Sequence, residues 1–249
     1  MKGLGIYFSG TGNTKFLMEK FKEKFDAKGV SVDLQAIDSS ENFEDKYDFY
    51  IFSAPIYAEF FPKIYVDWVE KNVNISKGKK AILTSTLGSK GTPPALKIMA
   101  KILEKKGFEI IIQQEITMPN NWTGEVPSEE KIKESKEITE IKVEKIIEKF
   151  FNNEKMIKNP WKLRYWLTLP LVNLMENYLK KWATKNMSVD SNVCIGCKKC
   201  EENCPVDNLK VDGNSVNIGK NCVACMRCVN SCPVNAFRIK GKEKEQYKF

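Results

Sequence analysis

Eight cysteines lie between Cys194 and Cys232, and the 193 residues before them contain none. They form two runs, CIGCKKCEENCPV (Cys194 to Val206) and CVACMRCVNSCPV (Cys222 to Val234), and each cysteine of the first recurs in the second at a constant offset. Both runs read C-x2-C-x2-C-x3-C-P. Thiolates in such a pattern hold metal or cross-link. Three closely spaced thiolates can wrap one side of a metal-sulfur cube, leaving its last corner to a ligand from a distance. A four-cysteine zinc site does not need the regular third cysteine, and no secretory leader argues for disulfides.

The second chemical signal is FSGTGNT, Phe8 to Thr14, directly behind the apolar run GLGIYF. A Gly-rich loop between a strand and a helix is an anion site, because glycines admit close backbone approach and the helix N-terminus offers free N–H groups. The loop lacks the lysine of a Walker A sequence and is not G-x-G-x-x-G, so neither a nucleoside triphosphate nor a dinucleotide is indicated. Its donors are neutral: Ser9, Thr11, Asn13 and Thr14, with Gly10 and Gly12 between them. The chain has no histidine. Imidazole-ligated metals and His-activated nucleophiles are thereby excluded, and proton transfer falls to carboxylates, Tyr, Lys or water.

These residues must be carried by elements, and the pattern supplies them. Strands are expected over Gly3 to Phe8, Val30 to Ile37, Asp48 to Pro55, Lys80 to Thr86 and Glu109 to Met118. Helices follow Phe16 to Phe25, Ile64 to Val73, Pro94 to Lys106 and Glu129 to Phe150. Alternating strands and helices imply an α/β domain with a five-stranded parallel sheet covered on both faces. Asn159 to Lys185 then carries three of the five tryptophans, with Val172, Met175, Leu179 and Trp182 at helical spacing. The expected divisions are 1–152, a helical connector over 153–187, and a cysteine module over 188–249.

The phosphate loop resembles that of flavodoxins, which bind the terminal phosphate of FMN with uncharged donors, and the cysteine runs resemble bacterial two-cluster ferredoxins. Together they are similar to flavodoxin/ferredoxin fusion proteins. The resemblance implies a flavodoxin-like doubly wound sheet and a small α+β two-cluster ferredoxin domain. It implies FMN held by residues 9–14 and, at the next strand ends, by Ala54, Pro55, Ile56 and Tyr57 and by Thr86, Leu87, Gly88, Ser89 and Gly91. Tyr57 is a ring to stack on the isoalloxazine or an ordinary core or surface aromatic. The STLGSKG loop reaches the flavin edge or is a plain turn. MPNNW, Met118 to Trp122, is a further candidate cover. The same resemblance implies two [4Fe-4S] clusters, one on Cys194, Cys197, Cys200 and Cys232, the other on Cys222, Cys225, Cys228 and Cys204. Lys198, Lys199, Met226 and Arg227 stand where such runs often have glycine, and cationic residues near the sulfurs would raise the reduction potential.

The function implied is electron transfer between the clusters and FMN, the rival being a flavin-dependent reductase of a small organic substrate fed by its own clusters. The formal charge is +8. Two clusters at about −2 each and a phosphate of up to about −2 bring the loaded chain to about +2, which removes the main support for nucleic-acid binding. The basic connector suits a low-potential ferredoxin or flavodoxin as redox partner. No transmembrane segment is expected, a cytoplasmic location follows, and a homodimer is compatible with the sequence. The connector's apolar residues, Trp161, Trp166, Leu169, Val172, Met175 and Trp182, are expected to be buried between the domains, the alternative being a membrane-surface or partner-docking helix. One cluster is expected to face the flavin.

Overall fold

The computed structural model describes residues 1–39, 46–89, 91–120, 126–247 and 249, leaving out the side chains of residues 172 and 173. Its elements in chain order are β1 (Lys2–Tyr7), α1 (Asn13–Asp26), β2 (Ser31–Ala36), β3 (Phe49–Pro55), α2 (Lys63–Asn72), β4 (Lys80–Leu87), α3 (Pro94–Lys105), β5 (Glu109–Thr117), α4 (Glu129–Phe151) and β6 (Met156–Ile157). There follow α5 (Lys162–Thr168), a 3-10 turn (Leu169–Leu171), α6 (Val172–Asn186), β7 (Met187–Val189), α7 (Lys199–Glu202), β8 (Leu209–Asp212), β9 (Ser215–Ile218), α8 (Arg227–Ser231), β10 (Phe237–Ile239) and β11 (Lys242–Glu243).

The main sheet runs β2-β1-β3-β4-β5-β6, and every pairing is parallel. The five expected strands are its body, and the two-residue β6 is an edge addition too short for any periodicity to announce. Because β1 lies between β2 and β3, the chain reverses direction across the sheet there, and the carboxyl ends of β1 and β3 border the crevice where doubly wound sheets bind ligands.

Side-chain alternation in each strand divides the core in two. Leu4, Ile6, Phe52, Leu83, Leu96 and Leu103 pack on the α2/α3 face. Phe21, Phe25, Ile51, Ile82, Ile112 and Ile147 pack on the α1/α4 face. The strands read as continuous apolar runs because helices cover both sides.

A third core, built on Met187, Leu209, Met226, Val229 and Phe237, belongs to the cysteine module. Ala183 from the end of α6 is buried in it, with Leu179 and Trp182 packed against it. The rest of the connector departs from expectation. Trp161 is 76% and Trp166 66% exposed, Leu169 is exposed as well, and Met175 and Trp182 are only half-buried. Val172 is among the side chains not described. The physical reason is that α5 touches the body chiefly through Tyr165, whose ring lies under Lys97 and Lys101 and whose hydroxyl accepts from Lys101 Nζ at 3.0 Å. Helical spacing marked an apolar stripe correctly but cannot say whether a neighbour exists to cover it.

Candidate functional site

The loop after β1 turns at Gly12, whose φ of +108° only glycine adopts without strain, and delivers the chain into α1. Ser9 Oγ accepts from the N–H groups of Gly12 (3.2 Å) and Lys15 (3.3 Å), fixing the loop around the helix N-terminus. Thr14 Oγ1 lies 2.8 Å from Thr86 Oγ1 at the end of β4, tying two of the expected loops together. Asn13 is committed elsewhere: its amide donates to the Pro119 carbonyl at 3.1 Å, and its oxygen accepts from the Tyr247 hydroxyl at 2.7 Å.

After β3, residues 57–60 close a tight reverse turn, with Tyr57 N–H donating to Phe60 O at 2.8 Å and Phe60 N–H to Tyr57 O at 3.1 Å. Its central residues, Ala58 (φ 46°) and Glu59 (φ 81°), are both left-handed without being glycine, a conformation that costs about 1–3 kcal/mol per residue and must be held by its surroundings. The connector helps hold it, since Arg164 Nη2 reaches Glu59 Oε1 at 2.5 Å.

These loops wall a cavity of about 240 Å³. Ser9, Gly10, Thr11, Asn13 and Thr14 line one end, Pro55, Ile56 and Tyr57 a second side, and Thr86, Leu87, Gly88 and Ser89 a third. Pro119 and Asn120 close it, while Trp122 and Lys90 lie outside the described residues. Ala54 is fully buried beneath, and Gly91 sits beside Arg164. One end thus offers hydroxyls and a helix N-terminus, and the other a ring and apolar walls. Those are the donor set and shape for a phosphate-bearing flat ring system, and FMN fits them.

The remaining wall comes from the cysteine module: Ala224, Cys225 and Met226 line the same cavity. Contact is so close that a Cβ on Gly10 would stand 2.3 Å from the Cys225 carbonyl oxygen and 3.0 Å from Tyr57 Oη. Burial pushes the Tyr57 phenol well above its ordinary range, so it stays protonated. Contacts of Arg227, Tyr247 and Phe249 that the sequence did not reveal hold the module here. Arg227 Nη2 donates to Ser9 O at 2.8 Å while Nη1 pairs with Asp38. The Tyr247 hydroxyl reaches Asn13, and Phe249 packs edge-on against Phe16. The Arg227 guanidinium is thus an interdomain clamp, and its charge also acts on the Cys225 thiol, opposing the upward push of burial.

Inside the module the repeat is structural as well as sequential. Left-handed residues recur at equivalent places, Gly196 and Ala224, Lys198 and Met226, Asp207 and Asn235. The Asn208 N–H points at Cys204 Sγ and the Ala236 N–H at Cys232 Sγ, each at 3.3 Å. Cys194, Cys197, Cys200 and Cys232 line one cavity, and Cys204, Cys222, Cys225 and Cys228 line another. Both quartets therefore draw their fourth member from the opposite run, and all eight thiols are free of disulfides. Among the described residues no three Cys, Asp or Glu side chains are grouped to hold a single metal ion. Burial raises the thiols of Cys222, Cys225 and Cys228, Cys225 to about 11, so a metal site formed there must displace protons.

Comparison with known proteins bears on both parts. The flavodoxin family pattern matches residues 6–137, more than half of the chain. The chain belongs to the flavodoxin family. This flavodoxin-family chain also matches the 4Fe-4S dicluster domain over residues 186–233, as a fusion of the two would. A flavodoxin from the domain Archaea is 16% identical, covering 59% of this chain and 99% of that one, with a TM-score of 0.45. Flavodoxin 2 from Bacillus cereus is 20% identical over 59% of this chain and 99% of its own, at 0.42. The flavodiiron protein from Giardia intestinalis is 16% identical over 61% of this chain and 38% of its own, at 0.40. No curated protein matches the chain.

A second cavity, about 250 Å³, lies beside the first between α2, α3 and α6. Phe60, Phe61, Val66, Met99, Met175 and Leu179 line it, and it shares Tyr57 and Leu179 with the first cavity. Ion pairs Lys63–Asp67 and Lys180–Glu176 stand on its lining.

Proposed function

We propose that this chain transfers electrons between two [4Fe-4S] clusters and one FMN, with one cluster held against the flavin and the other facing outward. The observation that carries the reading is the contact of the second cysteine run with the phosphate loop, where Cys225 walls the same cavity as Ser9, Thr14, Tyr57 and Gly88. When bound, FMN takes up one or two electrons while each cluster exchanges one, so the pair couples one-electron to two-electron traffic.

The residues supply placement. Ser9, Thr11, Thr14 and the N-terminus of α1 hold the phosphate. Tyr57 and Ile56 bound the ring on one side and Leu87, Gly88 and Ser89 on the other, excluding water. Cys222, Cys225, Cys228 and Cys204 carry the inner cluster, and Cys194, Cys197, Cys200 and Cys232 the outer one. Cys197 and the neighbouring Ile195 are exposed, which makes the outer quartet the point of exchange with a low-potential ferredoxin or flavodoxin in a reducing cytoplasm. Arg227 and Tyr247 hold the inner quartet in register with the flavin loop. Anaerobic reconstitution followed by iron, sulfide and flavin analysis tests the inventory. About eight iron per FMN is expected; a chain that takes up flavin but no more iron than a single cluster needs would end the reading.

The second cavity favours one alternative, reduction of an apolar aromatic substrate bound next to Tyr57. Saturable oxidation of the reduced protein by an aromatic acceptor, abolished when Met99→Trp fills the cavity, would support it. Oxidation linear in acceptor and indifferent to Met99→Trp would leave the carrier.

A further inference from the structure

The connector leaves a large apolar surface uncovered. Trp161, Leu163, Trp166, Leu167, Leu174 and Tyr178 are each more than half exposed, all within one stretch of 18 residues. Single apolar side chains are scattered over any protein surface, but a run of this kind marks an interaction site.

Its chemistry identifies the partner. On α5, Leu163, Trp166 and Leu167 share one face at spacings of three and four. On α6, Leu174, Tyr178, Lys181 and Lys185 follow one another at spacings of four, three and four, so a single face passes from aliphatic to phenolic to cationic over roughly 16 Å. Indole and phenol rings beside leucines, with lysines behind them, match the depth profile of a bilayer surface, where acyl chains give way to the interface and then to headgroups.

Charge points the same way. Between residues 159 and 185 the single acidic residue is Glu176, and it is paired with Lys180 at 2.7 Å. Arg164 is likewise taken up by Glu59. Lys162, Lys181 and Lys185 have no acidic partner among the described residues, so the patch presents three uncompensated cations to whatever covers it. A second copy packed on the same face would bring those lysines toward their own counterparts, whereas anionic headgroups neutralise them. No described helix is long and apolar enough to cross a membrane. We infer that α5, the 3-10 turn and the outer face of α6 form a peripheral docking surface for an anionic lipid bilayer, with Trp161 and Trp166 inserted at the interface and the lysines among the headgroups.

The test uses the full cofactor-loaded chain under anaerobic conditions with phosphatidylcholine vesicles, with and without phosphatidylglycerol. Co-sedimentation with the anionic vesicles, a blue shift of tryptophan emission and weakening by salt are expected. Trp161→Glu with Trp166→Glu should reduce partitioning at least tenfold, while Lys181→Glu with Lys185→Glu should lower binding to anionic vesicles by roughly fivefold or more per charge. All four positions are exposed, and unchanged visible and far-UV spectra verify that the variants fold. A chain that stays in solution with both vesicles, or tryptophan variants that bind unchanged, would overturn the inference. So would a concentration-dependent dimer in sedimentation velocity that the tryptophan variants dissolve, since that assigns the face to a second copy.

Discussion

A single methyl group at Gly10 probes the joint between the two halves. Gly10 is not among the residues of positive φ, so alanine meets no left-handed penalty there, and the packing effect acts against the roughly 0.4–1 kcal/mol that alanine gains by restricting the unfolded chain. The new Cβ would meet the Cys225 carbonyl oxygen at 2.3 Å and its carbon at 3.2 Å, with Tyr57 Oη at 3.0 Å. Ordinary contact needs about 3.5 Å or more, so the cysteine run must retreat by roughly 1 Å from the phosphate loop. The obstacle is the main chain of Cys225, which cannot swing aside as a side-chain tip would. Overpacking of this kind costs about 1–3 kcal/mol, which for a chain of this length lowers the melting temperature by roughly 2–12 °C. Gly10→Ala should also weaken FMN binding, because Cys225, Tyr57 and Gly10 wall one cavity. Thermal melts and fluorescence titration with FMN read both effects. An alanine variant unchanged in melting temperature and in FMN affinity would refute the contact and with it the assembly of the site from both halves.

Arg227→Ala removes the bond to Ser9 O and the pairing with Asp38, and is expected to cost about 1–3 kcal/mol in denaturant melts; no loss would mean the clamp is not closed in solution. Tyr247 is buried with its hydroxyl on Asn13, and burial holds its pKa above the ordinary value of about 10. Its contribution is therefore full below about pH 10 and is lost as pH rises through the folded value, where the unfolded chain has already given up the proton. Tyr247→Phe should be less stable at neutral pH by about 0.5–1.5 kcal/mol and show a shallower alkaline limb, and an equally steep limb would contradict this. Crosswise cysteine quartets predict that Cys232→Ser and Cys197→Ser, combined, lose no more iron than either alone, whereas Cys232→Ser with Cys225→Ser loses the iron of both clusters. Reversal of that pattern in iron analysis would assign each cluster to one run.

The parts legible in the sequence are those governed by local rules. Continuous apolar runs such as Phe49–Pro55 could only be strands buried on both faces, and the Gly10–Gly12 loop announced itself because few residue types can make that turn before a helix. The cysteine repeat was readable because its spacing is local, and the grouping of Cys232 with the first run and of Cys204 with the second, which the resemblance implied, is the grouping in which the cysteines line the two cavities. What escaped depends on partners far apart in sequence. Arg227 read as a charge acting on the sulfurs, as its effect on the Cys225 thiol shows, but nothing local revealed that its guanidinium also lies on Ser9, 218 positions away. Tyr247 sits in a polar tail with no periodicity, although its ring is buried. The connector stripe misled because amphipathic spacing is the same whether a helix face meets a protein core or is left open: among its described residues Pro160, Tyr165 and Ala183 are buried and Leu179 and Trp182 partly covered, while Trp161 and Trp166 stay exposed.

The central claim is that electrons pass between cluster and flavin inside one polypeptide. Its most direct measurement is anaerobic stopped-flow reduction of the loaded chain by a one-electron donor, following the cluster and flavin bands at several protein concentrations. Flavin reduction that follows cluster reduction with a rate constant independent of protein concentration, and slowed in Gly10→Ala, is the predicted result. A flavin that remains oxidised while the clusters are reduced, or a rate that rises in proportion to protein concentration, would contradict it.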